Sequence, residues 1–218
     1  RIGVSMLSFD YVTADNYRAV DYPEHRANYY YSYWSVGNVI DSRDHLVFPS
    51  RGILFYWRLL FSDHYIFQNK RFLQAELNNQ INLSLLDPVA YQLNVEIGFS
   101  KNDLPYDLQF PINEKHYFPI YGKDETFSSG KFLVSHQLRF RLASFQNDIF
   151  RRELYGIAGI SGMTSIDSFT DIFKISGDKR FCGYMGLIQN TVIGHLQLMV
   201  AFDNDRNHNL YFFMGTHF

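Results

Sequence analysis

The sequence predicts an all-β fold, an antiparallel transmembrane β-barrel with about ten strands in this chain. Apolar and polar residues alternate along most of its length, and the aromatic residues gather near the ends of the alternating segments. Most of these segments have about 10 to 15 residues. A tilted strand that crosses a membrane needs about 9 to 11 residues, whereas strands of soluble sandwiches mostly have about 5 to 6. Length and pattern together favour the membrane barrel.

The clearest alternation lies in residues 72–86, where one face of the predicted strand is apolar and the other is polar. Only Asn79 interrupts the apolar face. In a membrane barrel the apolar face contacts lipid and the polar face lines the lumen. The same reasoning predicts four lumen-facing charged residues, namely Glu76, Glu96, Arg139 and Arg141.

The connections between strands support an up-and-down order, because long and short ones mostly alternate. The ten predicted strands lie at about 1–11, 27–40, 52–62, 70–86, 89–100, 131–145, 151–164, 181–190, 193–203 and 209–218. No composition shift marks a domain boundary, so residues 1–218 are predicted to form one barrel domain. The chain opens on a strand rather than a signal peptide, which is typical of a mature product or an interior fragment.

The composition excludes several classes of protein. The net charge of -2 gives no footprint for nucleic acid, and no stretch reaches the roughly 18 to 20 apolar residues of a membrane helix. Cys182 is the only cysteine and has no metal-ligand spacing around it, so it is interpreted as a small packing residue. We therefore predict no metal and no cofactor.

The last strand alternates apolar residues and ends on Phe218. This resembles the C-terminal recognition strand of bacterial outer-membrane barrels. The resemblance implies localisation in the bacterial outer membrane, with outer-membrane lipids and the barrel-assembly machinery as partners.

Two further segments resemble the bacterial surface antigen barrels, the superfamily of outer-membrane insertases and two-partner-secretion transporters. "DSRDHLVFPSRGILFYWRLLF" (41–61) is similar to the family's Phe-Pro-Ser/Thr-x-Gly turn, with matches at Phe48, Pro49 and Gly52. Residues 190–218 are similar to its closing hairpin, with matches at Thr191, Gly194, Gly215 and Phe218, while Val192 and His195 replace the usual prolines. The resemblance implies that this chain is the C-terminal part, strands seven to sixteen, of a sixteen-stranded barrel, with the earlier strands and any periplasmic or catalytic domain outside it.

The resemblance also bears on function. Residues 101–130 contain no Arg-Gly pair, which the family's insertases and transporters carry in the corresponding loop. The closer branch is the one in which the barrel follows a patatin-like phospholipase, so the chain is expected to anchor or translocate such a domain. The alternatives are an outer-membrane insertase or secretion pore, and a soluble aromatic-rich β-barrel that binds a ligand.

No catalytic residue is predicted within the chain. A patatin-like serine hydrolase needs Gly-x-Ser-x-Gly, and "GISGMTS" (159–165) has the wrong spacing. His136 and His195 lie among apolar residues and are interpreted as structural or interfacial, with His136 facing lipid or a homodimer interface. Arg139, Arg141, Arg151 and Arg152 form a basic cluster. We expect it to make lumen ion pairs with Glu76 and Glu96, and contact with a lipid headgroup is the alternative.

Overall fold

The chain is all-β. The computed structural model describes residues 2–14, 29–45, 48–62, 72–101, 108–111, 127–146, 151–166, 179–191, 194–205 and 207–215. Its strands are β1 (Ile2–Ala14), β2 (Tyr29–Asp41), β3 (Gly52–Phe61), β4 (Leu73–Leu86), β5 (Val89–Lys101), β6 (Phe110–Pro111), β7 (Phe127–Ser128), β8 (Gly130–Gln146), β9 (Arg151–Ser165), β10 (Lys179–Thr191), β11 (Gly194–Asp203) and β12 (His208–Gly215). All ten predicted strands are present. None of the described residues belongs to a helix long and apolar enough to cross a membrane.

The ten long strands form one antiparallel sheet in which neighbours along the chain are neighbours in space, in the order β1-β2-β3-β4-β5-β8-β9-β10-β11-β12. The short strands β6 and β7 pair with each other inside the connection between β5 and β8. Alternating β-branched, aromatic and leucine residues give most of the long strands one mainly apolar side, which is the pattern that a sheet with two different faces requires. The predicted up-and-down order is confirmed for this sheet.

Most of the long connections lie at one end of the sheet and most of the short ones at the other, and we name these the loop end and the turn end. The loop-end connections are residues 15–28, 62–72, 102–129, 166–178 and 204–207. The turn-end connections are residues 42–51, 87–88, 147–150 and 192–193. The segment 42–51, which we name the β2–β3 segment, is the longest at the turn end.

The strands are staggered along the sheet. A line of paired residues starts at Ile2, at the turn end of β1, and ends at Asp203, at the loop end of β11. Between them it passes through Asp41, Leu54, Gln80, Asn94, Ser135, Ser161 and Cys182. The hydrogen-bonding direction therefore runs obliquely to the strands, from one end of the sheet to the other.

The two faces of the sheet differ in exposure, and we name them the inner face and the outer face. The inner face carries most of the buried side chains, including polar ones such as Asn94, Glu96 and Lys131. Part of it is apolar: Leu133, Ile157, Met163, Cys182, Tyr184, Ile188, Met199 and Ala201 form one buried cluster, which we name the inner apolar cluster. Cys182 is buried within it at 2% exposure, as its interpretation as a packing residue requires.

Candidate functional site

The outer face is apolar and exposed. Side chains such as Leu85, Ile160 and Phe212 have 52%, 64% and 66% of their surface accessible. Large exposed apolar side chains occur on every long strand from β2 to β12 whose side chains are described, except β5, where the outward apolar residues are half-buried. Folded proteins in water rarely expose contiguous apolar patches above a few hundred Å². A face of this kind is therefore a contact surface.

Aromatic side chains border the outer face at the loop end. Trp34 and Phe61 occupy directly paired positions on β2 and β3, and both are exposed. Phe181 and Phe202 lie at the same end on β10 and β11 and are also exposed. Rings at the border of an apolar band are typical of side chains that sit where hydrocarbon meets water.

The inner face buries charge with matched partners. Glu96 accepts a hydrogen bond from Lys131 Nζ at 2.8 Å, and both side chains are almost fully buried. Its other carboxylate oxygen accepts hydrogen bonds from Asn78 Nδ2 at 3.0 Å and Asn94 Nδ2 at 3.1 Å. A buried carboxylate is tolerated only with such partners, because desolvation without compensation costs several kcal/mol.

The predicted ion pairs of Arg139 and Arg141 with Glu76 and Glu96 are wrong. Glu76 pairs instead with Arg58, at 2.9 Å, because the two residues are directly opposite on β4 and β3. Glu96 is opposite Leu133, which places Arg139 six residues further along β8, about 20 Å away at the usual strand rise. All four charged residues project from the inner-face side, but Arg139 and Arg141 lie near the turn end. The side chains of Arg151 and Arg152 lie outside the described set.

The β2–β3 segment, which holds the predicted Phe48, Pro49 and Gly52 motif, is organised by Asp44. The Asp44 carboxylate accepts hydrogen bonds from the backbone N–H groups of Ser50 at 2.8 Å and Arg51 at 3.1 Å, and from the Ser50 hydroxyl. Burial alone would raise the pKa of Asp44, but these hydrogen bonds outweigh it and lower the pKa. Gly52 then takes φ = 105°, a left-handed conformation that favours glycine.

The motif residues Phe48 and Pro49 reach across to β8 and β9. The Phe48 ring stacks on Tyr155, with centroids 5.2 Å apart and planes inclined by 17°. The Arg139 guanidinium lies 5.6 Å from the Phe48 centroid and 5.8 Å from that of Tyr155, and its Nη2 donates a hydrogen bond to the Pro49 carbonyl. Pro49 is buried by this contact. The segment is therefore fixed to the inner face through a charged hydrogen bond and two aromatic contacts.

A cavity of about 820 Å³ lies beside this contact, and we name it the turn-end pocket. The β2–β3 segment, the β4–β5 turn and the inner faces of β8 and β9 line it, and it is open to solvent on one side. Arg141 lines it and pairs with Asp87 and, at 3.9 Å, with Glu153. Glu153 also accepts the Tyr155 hydroxyl hydrogen bond. Cavities of this volume are in the range that binds small ligands.

The other predicted positions do not converge on this pocket. Gly194 begins β11 and Gly215 ends β12, both at the turn end, whereas Phe218 and the side chain of His195 lie outside the described residues. His136 is exposed on the outer face and its Nδ1 lies 2.6 Å from the Tyr91 hydroxyl. No cluster of three or more potential metal-ligating side chains occurs in the described part of the chain.

Sequence reasoning missed the turn-end pocket itself. The sequence indicates the Phe48-Pro49 motif and the basic residue Arg139 separately. Nothing local in the sequence connects these positions, because Pro49 and Arg139 are 90 residues apart. A comparison with known proteins finds no family model that matches the chain, and no curated protein matches it either.

Proposed function

We propose that this chain is a transmembrane β-barrel domain of the bacterial outer membrane, serving as anchor or translocator for a domain attached to it. The observation that carries the proposal is the inverted burial of the sheet. Charged and amide side chains are buried on one face while leucine, isoleucine and phenylalanine side chains are exposed on the other. Lipid is the solvent in which that arrangement is favourable, since apolar side chains lose nothing by facing hydrocarbon.

The geometry of the strands also supports a barrel. Nine of the ten long strands have 10 to 17 residues, long enough to cross a bilayer at a tilt. The oblique hydrogen-bonding line from Ile2 to Asp203 is the stagger that tilted strands of a barrel need. Most of the long connections lie at one end and most of the short ones at the other, which fits a barrel with external loops and short periplasmic turns.

For the attached domain we propose a patatin-like phospholipase, on the resemblance of the β2–β3 segment and the last hairpin to surface antigen barrels. The lack of an Arg-Gly pair in residues 101–130 favours this assignment over an insertase or secretion pore. The full-length protein should then carry Gly-x-Ser-x-Gly before this barrel and hydrolyse phospholipids. Repeated transport domains at that position would instead favour the insertase.

The membrane proposal is tested by refolding the chain with and without phosphatidylcholine vesicles. We expect the protein to float with the vesicles and to migrate faster in electrophoresis unless it is heated first. The outward Trp34 and Trp57 should be quenched by lipids brominated on their acyl chains. A soluble, monomeric protein that does not bind the vesicles would overturn the proposal and would favour a soluble ligand-binding barrel.

A further inference from the structure

Arg139 is a buried cation without a carboxylate partner in the described structure. Its side chain is only 6% exposed, and its one hydrogen bond goes to the Pro49 carbonyl. Two aromatic rings complete its surroundings. A guanidinium carries five N–H donors in a planar fork, so most of its hydrogen-bonding capacity is unused here.

The carboxylates nearby are already engaged with other groups. Asp44 caps the backbone N–H groups of Ser50 and Arg51, and Asp87 pairs with Arg141. Glu153 accepts from the Tyr155 hydroxyl and lies 3.9 Å from Arg141. None of these carboxylates contacts Arg139 directly, and Asp44 attracts it only at longer range.

A second guanidinium lines the same space. Arg51 lines the turn-end pocket, its residue is exposed, and no side-chain hydrogen bond or ion pair holds it among the described residues. Three guanidiniums therefore line the pocket: Arg139 in a buried wall, Arg51 in an exposed one, and Arg141, which is paired with Asp87. Arg139 belongs to the inner face and Arg51 to the β2–β3 segment. The apolar surface lies on the opposite face of the sheet.

We propose that the turn-end pocket binds an anionic group, a carboxylate or phosphate, through Arg139 with Arg51 as a second contact. Such groups match the guanidinium fork and would supply the charge that Arg139 lacks. Because the pocket faces away from the apolar surface, the anion comes from the aqueous side. It is either a small free anion or an acidic side chain of a peptide. This inference depends only on residues of the inner face and of the β2–β3 segment, and it goes beyond the proposed anchor function.

Calorimetric titration of the refolded chain in zwitterionic micelles tests the proposal. The probes are inorganic phosphate, succinate, and an Asp/Glu-rich hexapeptide beside its Asn/Gln counterpart. We expect saturable binding of at least one anionic probe and none of the neutral peptide. Binding of phosphate or succinate identifies a small-anion site, whereas binding of the acidic peptide alone identifies a peptide site. No saturable binding of any anionic probe would overturn the proposal.

Two variants and a control assign the site. Arg139→Gln should raise Kd about tenfold or more, which is the effect of losing one charged hydrogen bond. Arg58→Gln is the matched control, because Arg58 also lies on the inner-face side but pairs with Glu76 outside the pocket, and its Kd should not change. Loss of heat-modifiable migration in Arg139→Gln would show that this variant does not fold. The Arg51→Gln variant then tests the site, and we expect a severalfold rise in its Kd. An unchanged Kd in the deciding variant refutes the site.

Discussion

The lipid-facing assignment makes its sharpest prediction at two adjacent residues of β5. Leu93 lies on the outer face between Ile81 and His136, and Gln92 lies on the inner face between Asn82 and Gln137. Arginine at either position has nearly the same depth and the same backbone. Only the face differs, so Gln92→Arg is a matched control for Leu93→Arg.

The magnitude follows from the position in the strand. Leu93 is two residues from Val95, the centre of the 13-residue β5, hence about 7 Å along the strand and about 5 Å in depth at a tilt near 40°. The apolar band of a membrane barrel is about 25 Å tall, so the new arginine would lie well inside it. We expect Leu93→Arg to lower the free energy of unfolding by roughly 2–4 kcal/mol. Gln92→Arg should change it by under about 1 kcal/mol, since it adds a charge to a polar surface.

The assay is equilibrium unfolding by urea in phosphatidylcholine vesicles, followed by tryptophan fluorescence. A third variant, Leu85→Arg, sits at the turn end of β4 and should cost only about 0–1 kcal/mol, because the penalty falls toward the interface. A Leu93→Arg variant as stable as the parent would refute the lipid-facing assignment. An equal loss of unfolding free energy in Leu93→Arg and Leu85→Arg would contradict the dependence on depth in the membrane.

Three further predictions concern single positions. Asn79→Leu should raise the urea midpoint, by about 1 kcal/mol of stability, because the Asn79 Oδ1 is buried on the outer side without a hydrogen-bond partner among the described residues. A lower midpoint would show that the amide is needed. Gly52→Ala should destabilise by about 1–3 kcal/mol, since a Cβ would lie 2.3 Å from the Ser42 carbonyl oxygen at φ = 105°. Gly156→Ala is the comparison and should cost less, because a Cβ there would only contact the Leu142 side chain at 3.4 Å. The lowered pKa of Asp44 means that its contribution to stability is present above its unfolded pKa and is lost as the pH falls through its lower folded pKa. Asp44→Asn should therefore flatten the loss of stability below about pH 4, and an unchanged pH profile would contradict this.

The sheet could be predicted from the sequence because its signal is local. The alternation of apolar and polar residues shows which residues of a strand share a face. A segment such as 72–86 is sufficient for this, without any other part of the chain. The order of strands followed from the lengths of the connections. Neither step required knowledge of which residues meet across the fold.

The contacts of the inner face could not be predicted, because they depend on register. Glu76 pairs with Arg58 and Glu96 with Lys131 because of the register between neighbouring strands. A shift of that register by two residues keeps every side chain on the same face, so alternation cannot determine it. Register shifts between Ser84 and Leu86 and between Arg141 and Ala143 add local irregularity at the turn end. The hydrogen bond from Arg139 on β8 to Pro49, just before β3, passes over β4 and β5, and no local pattern predicts such a contact.

The inner apolar cluster has a consequence for passage through the proposed barrel. Its side chains cover the inner face from β8 to β11 and are nearly inaccessible to solvent, whereas the charged pairs Arg58–Glu76 and Lys131–Glu96 lie on β3 to β5 and the start of β8. One side of the inner face is thus apolar and the other carries the charged pairs. Any conducting path through the proposed barrel would be off-centre, on the side of β3 to β5. The pair of Arg58 and Glu76, which is more exposed than that of Glu96 and Lys131, would then influence its ion selectivity.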